Sequence, residues 1–421
     1  MHRSLALVSG ALLTAAAVGA PSMELFPAGY IVTDLSADGS VMVGNVIGDG
    51  SYETFRWTAE TGIERLGRAT VPEIGTGAGT PDVSYDGTRV SATILSSDNL
   101  GTQGLWSESG GWVETMPPAA PGGIVLDQYY GSAWGLSGDG TTVTGFYWTT
   151  GPGSAQPSSW TAANGFLALE DTPGRAGRVN AADYDGDIVV GWEEGAGAVW
   201  QPTVWKNGVK TRLFESLGFA EAYGVNADGS IIVGDGYNPA QARTQAAIWR
   251  WNGASYDMQF VGSLPGTVPN QGGAWLDCLS DNGALMAGGN RYFQSPGATM
   301  DGIVWTPSTG LMKDTDWLAS LGLTVPSGWD IRNFNSISAD GSTMVGVVVV
   351  HGTEVATVII HLDVCTGDIN GDGVVDFADL NILLGNYNTA GGAIPGDIDG
   401  DGDVDFADLN ELLGAYNTTC S

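Results

Sequence analysis

Residues 35–44 read LSADGSVMVG, and this ten-residue phrase returns with substitutions along the chain. Its Asp-Gly core (once Asn-Gly) stands at Asp38, Asp86, Asp139, Asp185, Asp228, Asn282 and Asp340, at intervals of 48, 53, 46, 43, 54 and 58 residues. A glycine closes the phrase at Gly44, Gly145, Gly191, Gly234, Gly288 and Gly346; the second copy, Thr88-Arg-Val-Ser91, lacks it. A second landmark follows each core by 19 to 23 residues. It is an apolar stretch ending in Trp57, Trp106, Trp160, Trp205, Trp249 and Trp305, with Ile360 near that place in the last copy.

Each unit reads as four short strands, in the first copy about Tyr30–Leu35, Ser40–Val46, Glu53–Thr58 and Gly62–Leu66. β-Branched and aromatic residues alternate there as in half-buried strands. Asp-Gly between two such runs predicts a type I′ hairpin with positive φ at both central residues. Units of this length with four strands and one tryptophan each match a propeller blade. The expected fold is mainly β, a seven-bladed β-propeller-like repeat domain followed by a small all-α calcium-binding module. The last unit runs out after His361 without a fourth strand, which Glu24–Ala28 is placed to supply. The phrase with its tryptophan and trailing glycine turn resembles the HAF-type extracellular repeats over roughly residues 25–363. That resemblance implies an exported, propeller-shaped protein and no settled activity.

The C-terminal residues carry a duplication. GDINGDGVVDFADLNILLGNYN (367–388) and GDIDGDGDVDFADLNELLGAYN (396–417) agree at 18 of 22 positions. Oxygen ligands fall at loop positions 1, 3, 5, 7, 9 and 12 around a glycine, which is the EF-hand arrangement for Ca²⁺. The first set is Asp368, Asn370, Asp372, the Val374 carbonyl, Asp376 and Asp379. The second is Asp397, Asp399, Asp401, the Asp403 carbonyl, Asp405 and Asp408. Position 12 is Asp in both, and one amphipathic helix follows each loop, with none before it. Loop–helix repeats of this kind resemble dockerin type I modules. The resemblance implies two calcium ions and a cohesin-like or other surface protein as partner. At loop positions 10 and 11, where dockerins carry their recognition pair, this chain has Phe377-Ala378 and Phe406-Ala407.

Composition sets the context. Asp and Glu number 47 against 15 Lys and Arg, a net charge of −32. That excludes polyanionic partners such as nucleic acid or an anionic membrane surface, which need basic patches. His2 and Arg3 precede the apolar run Leu5–Val18 and small residues, the layout of a secretory signal peptide cleaved after Ala20 or Ser22. The expected division is signal peptide 1–22, propeller-like domain 23–363 and calcium-binding domain 364–421, exported to the cell surface or medium with no membrane span in the mature chain. Cys365 and Cys420 flank the calcium repeats and read as a disulfide clip in an oxidising compartment. Cys278 reads as a buried, unreactive thiol.

Nothing reads as a catalytic centre. The three histidines are His2, His351 and His361, and no nucleophile elbow or phosphate loop occurs. A carboxylate pair suffices for glycoside hydrolysis, and Glu193, Glu194, Asp183 and Asp185 are the candidates. The repeat tryptophans read as packing residues between blades. Tyr129, Tyr130, Trp134, Tyr147, Trp148 and Trp329 lie off that register and are freer to meet a ligand such as a polysaccharide.

Overall fold

The computed structural model describes residues 21–67, 79–116, 122–126, 129–150, 154–293, 299–362, 367–370, 374–390, 394–398 and 403–418. The expected signal peptide lies almost wholly outside them, as do Cys365, Cys420, Asp372, Asp399 and Asp401.

The fold is mainly β and propeller-like. The first unit is an antiparallel sheet of Tyr30–Leu35, Val41–Val46, Thr54–Thr58 and Gly62–Arg65, in chain order. The same order recurs in the units whose inner strands are Asp82–Val83, Gly131–Leu136 and Gly177–Ala182. Ala222–Val225 and Gly273–Leu279 open two further units, which a parallel bridge between Thr244 and Gly273 joins into one eight-stranded sheet. The last unit has Trp329–Ile337, Thr343–Val350 and Glu354–His361, and its outer strand comes from the other end of the chain. Ser22–Leu25 pairs antiparallel with His361–Val358. Phe26, 1% exposed, fixes this closure by stacking on Phe55 at 5.5 Å. Phe26→Ala is expected to cost about 3–5 kcal/mol in chemical denaturation, as for other buried Phe truncations.

The Asp-Gly turns differ from the type I′ expectation. The glycines are left-handed (Gly39 at φ +69°, Gly186 at +77°), but no aspartate of these turns has positive φ. Instead Ser36 N–H donates to the Val41 carbonyl across a four-residue loop, and Gly39 N–H to the Ser36 carbonyl. The Asp38 carboxylate accepts from Ser36 Oγ and Ser40 N–H at 2.8 and 2.9 Å. The Asx turn thus supplies what positive φ at Asp would have supplied. The same serine–aspartate bond recurs at Ser84–Asp86, Ser137–Asp139 and Ser338–Asp340.

These turns are also linked to one another. Ala37 N–H donates to the Tyr85 carbonyl, Tyr85 to Gly138, Asp139 to Tyr184 and Tyr184 to Ala227. Ala227 N–H donates to Asp281 Oδ1, Asp281 N–H to the Ala339 carbonyl, and Asp340 N–H to Ala37. The chain of bonds passes every repeat turn and returns to its start, so the sheets stand round a common axis with their first strands innermost.

The glycine that closes each phrase has a steric reason. Six inner strands carry a bulge opposite it, with Thr33, Trp134, Asn180, Tyr223, Asp277 and Asn335 as the extra residues. A Cβ on Gly44, Gly145, Gly191, Gly234, Gly288 or Gly346 would run into the carbonyl of Ile31, Ser132, Arg178, Glu221, Trp275 or Asn333. In the second unit the position in register is Ala92, one past Ser91. Its inner strand pairs only over Asp82 and Val83 and has no bulge, so a methyl group is accommodated.

The repeat tryptophans pack against the cores. Trp205 and Trp249 are fully buried, Trp57 and Trp305 nearly so, Trp106 and Trp160 are half-buried, and Ile360 takes the same place in the last unit. Cys278 is a buried free thiol. An element missed in the sequence is α1 (Asp314–Ser320), which covers the sixth unit with Trp317 and Leu318. No described helix is long and apolar enough to cross a membrane.

Burial raises Asp183, Asp277 and Asp314 to about 7 and Asp281 to about 6. In the unfolded chain such groups titrate near 4. The folded state therefore holds protons that the unfolded chain has lost, and this contribution to stability disappears as pH rises from about 4 through 7. With a chelator present, the melting temperature of the ring is expected to fall between pH 5 and pH 8. Asp277→Asn should flatten that slope.

Candidate metal centre in the C-terminal repeats

Two ten-residue helices follow the loops, α2 (Phe377–Asn386) and α3 (Phe406–Ala415). Each starts on a capping box. Asp376 accepts from Ala378 N–H at 2.6 Å while Asp379 accepts from Asp376 N–H at 2.9 Å. Asp405 and Asp408 repeat this with Ala407 and Asp405 N–H at 2.6 and 2.7 Å. Reciprocal satisfaction of the first-turn N–H groups fixes where each helix begins. Left-handed Asn388 and Asn417, at φ +60° and +64°, follow the helices.

The repeats interlock around one core. Val375, Leu383, Val404 and Leu412 are fully buried together, at equivalent positions of the two copies. Gly367 (φ +98°) sits against Leu412 of α3, and Gly396 (φ +105°) against Leu383 of α2. Val375 exchanges backbone bonds with Asn417 and Thr418, while Thr389 pairs with Val404. This short two-stranded bridge departs from the all-α expectation. It arises because each loop must tie to the segment after the other repeat's helix.

Within this unit Asp379 and Asp408 are completely buried. The second oxygen of each reaches back to its own loop. Asp379 Oδ1 accepts from Asn370 N–H at 3.0 Å, and Asp408 Oδ1 from Ile398 N–H at 2.6 Å. Position 12 is thus drawn to the start of the loop, where a shorter Asp in place of Glu is still able to chelate. Among the described residues no group of three His, Cys, Asp or Glu side chains is gathered as a metal cage. Asp368, Asn370, Val374, Asp376 and Asp379, with Asp397, Asp403, Asp405 and Asp408, are described, whereas Asp372, Asp399 and Asp401 are not. Residues 365–421 hold ten Asp and one Glu with no Lys or Arg. Buried carboxylates in a segment without Lys or Arg are the hard oxygen donors that suit a divalent cation.

The other sequence candidates are dispersed. Glu193 is fully buried and held by Lys210 at 2.7 Å and Arg212 at 3.5 Å, and Thr172 Oγ1 donates to it at 3.0 Å. Glu194 accepts from Ala176 N–H. Asp183 receives Ile188 N–H in the turn, as Ser36 does in the first unit. The strand Ile188–Glu194 separates the two sets by about 20 Å at the usual rise. Glycosidase carboxylates stand about 5–9.5 Å apart, so neither glutamate pairs with either aspartate in that way. Of the off-register aromatics, Tyr129 and Tyr147 are buried and Tyr130 donates to Asp98 at 2.6 Å. Trp134 faces the axis of the ring. Arg178, Tyr223, Trp275, Asp277 and Asn333, which share that axis, were missed in the sequence.

No family model matches this chain, and no curated protein matches its sequence. Its fold is similar to an oligogalacturonate lyase from Vibrio parahaemolyticus, at 13% identity and a TM-score of 0.52, over 81% of this chain and 97% of that one. It is also similar to a prolyl endopeptidase, at 12% identity and a TM-score of 0.51, over 80% of this chain and 51% of the other. TolB from Acinetobacter baumannii aligns at 10% identity with a TM-score of 0.40, over 77% of this chain and 64% of TolB. At these identities the two likenesses with TM-scores above 0.5 concern the fold alone, which is propeller-like.

Proposed function

We propose that this is an exported, non-catalytic binding protein in which a seven-bladed propeller of HAF-type repeats, residues 23–363, is tethered by a dockerin-type calcium module, residues 364–421. Two Ca²⁺ ions bind, one to Asp368, Asn370, Asp372, the Val374 carbonyl, Asp376 and Asp379. The other binds to Asp397, Asp399, Asp401, the Asp403 carbonyl, Asp405 and Asp408. Calcium supplies the positive charge that these loops lack, and the module then docks on a cohesin-like surface protein. Cys365 and Cys420 close the module as a disulfide.

The observation that carries this reading is the interlocked duplicate with one buried carboxylate per copy. The docking surface follows from the same duplication. Phe377 and Phe406 are each 68% exposed, and Leu384 and Leu413 stand exposed seven residues further along the same helices. Apolar side chains shown to solvent twice, in equivalent positions, suit a protein partner. The full chain, immobilised and incubated with surface proteins of the producing organism, should retain a partner in calcium and release it in chelator. Retention that ignores calcium, or persists in Phe377→Ser/Phe406→Ser, contradicts the docking role.

The second reading is a polysaccharide-degrading enzyme with the propeller as catalytic domain, favoured by the oligogalacturonate lyase among its structural neighbours. Release of unsaturated or reducing ends from polygalacturonate by the full chain would establish it.

A further inference from the structure

The axis of the ring is lined by side chains that no function above uses. On the innermost strands the residues either side of each bulge alternate between buried and half-exposed. Trp134, Arg178, Tyr223, Trp275, Asp277, Asn333 and Asn335 are half-exposed, while Ala133, Val179, Ala222, Leu276 and Phe334 between them are buried. Accessible surface on strands surrounded by other sheets marks a channel along the axis. One end is shut. At the turns the Tyr85 and Tyr184 rings meet edge-on at 5.5 Å, and Tyr85 Oη donates to Asp281 Oδ1 of the sixth unit at 2.9 Å, across the axis. The channel is therefore closed at the Asp-Gly face.

Its wall is a circuit of polar contacts between neighbouring units. The Arg178 guanidinium lies 3.7 Å over the Trp134 ring and pairs with Glu221 at 2.7 Å. Asp277 Oδ2 accepts from Trp275 Nε1 at 2.9 Å and from Asn333 Nδ2 at 2.8 Å. Asn335 donates to the Val32 carbonyl, and Ser336 to Asp34 at 2.7 Å. Asp82 beside Asp34 accepts from Leu136 N–H at 2.8 Å. Arg178 has its carboxylate, and burial together with the neighbouring Asp34 pushes Asp82 well up. Burial likewise brings Asp277 to about 7.

We infer that this blind channel binds the terminal unit of a neutral saccharide, stacked on the Trp275 and Tyr223 rings with hydroxyls hydrogen-bonded to Asp277 and Asn335. Aromatic faces take the C–H surface of a sugar, and fixed carboxyl and amide groups take its hydroxyls. Anions meet Asp34, Asp82 and Asp277 with Arg178 already paired. Cations meet carboxyl groups that already accept N–H and O–H donors. A blind end favours a chain terminus over a chain interior. This site deepens the binding role assigned to the ring and is independent of the calcium module.

The test titrates the full chain with glucose, galactose, mannose and xylose, and with the tetrasaccharides of cellulose, mannan and xylan. Galacturonate and spermidine serve as charged probes. Binding is followed by calorimetry and tryptophan fluorescence, once in calcium and once in chelator. One neutral saccharide is expected to saturate under both conditions. Asp277→Asn and Tyr223→Phe, with melting temperatures near that of the parent, should each weaken it at least tenfold. If either variant is unfolded, the other and the saccharide's protection of the parent's tryptophans from acrylamide carry the result. Binding only of galacturonate or spermidine, binding of none of the probes, or binding indifferent to both substitutions overturns the inference. Because the titration is repeated in chelator, failure of the calcium reading leaves this outcome untouched.

Discussion

Chelation of calcium from the full chain is expected to unfold the C-terminal repeats and leave the ring of sheets standing. The four fully buried apolar residues Val375, Leu383, Val404 and Leu412 are a small core for two loops and two helices. A module of this size rarely draws more than about 3–5 kcal/mol from its core. Against that stand ten aspartates and one glutamate with no basic residue in 365–421, which repel one another. At free calcium of a hundred times Kd each site adds about 2.7 kcal/mol, so two sites together match or exceed the core. Limited proteolysis should cut residues 367–418 rapidly in chelator and slowly in calcium, with 22–362 resistant in both. Asp379→Ala combined with Asp408→Ala should behave in calcium as the parent does in chelator. Because Val375 pairs with Asn417 and Thr418 while Val404 pairs with Thr389 and Asn388, loss of one site should loosen both repeats.

The second large effect belongs to the repeat glycines. Gly191→Val and Gly234→Val are expected to destabilise the ring by about 3 kcal/mol or more, because the new side chain meets a backbone carbonyl, of Arg178 or Glu221, that cannot move without undoing the bulge. Ala92→Gly in the second unit should cost only about 1 kcal/mol, since no bulge opposes that position. Denaturant midpoints of the three variants decide this. Equal losses in all three would mean that the glycines answer to strand propensity and not to the bulge.

The repeating fold was legible because its signals are local. Asp-Gly turns, one tryptophan per unit and a missing last strand are all visible within fifty residues, and strand limits in the first unit agree within a residue. The turn type was not legible. Whether Asp38 takes positive φ depends on the Ser36 hydroxyl that already holds its carboxylate, two residues away on the other side of the loop. The closing glycine was visible, but its cause was not, since the bulge appears only when two strands pair. The axial residues were hidden for the same reason. They stand five and seven positions before each Asp-Gly core (Trp134 and Ser132, Asn180 and Arg178, Asp277 and Trp275), a register that acquires meaning only once the sheets surround an axis. Glu193 and Asp183 looked like chemistry in one dimension and are ion pair and turn in three. The proposed C-terminal ligands rest on the spacing that loop chemistry imposes, and Asp372, Asp399 and Asp401 lie outside the described residues.

The most direct test of the calcium module is a calorimetric titration of the metal-stripped full chain with CaCl₂. Two bound ions per chain are expected, one lost in Asp379→Ala and both in Asp379→Ala/Asp408→Ala, with the far-ultraviolet helical signal rising as the sites fill. Absence of saturable binding, or two ions that persist in the double variant, would contradict it.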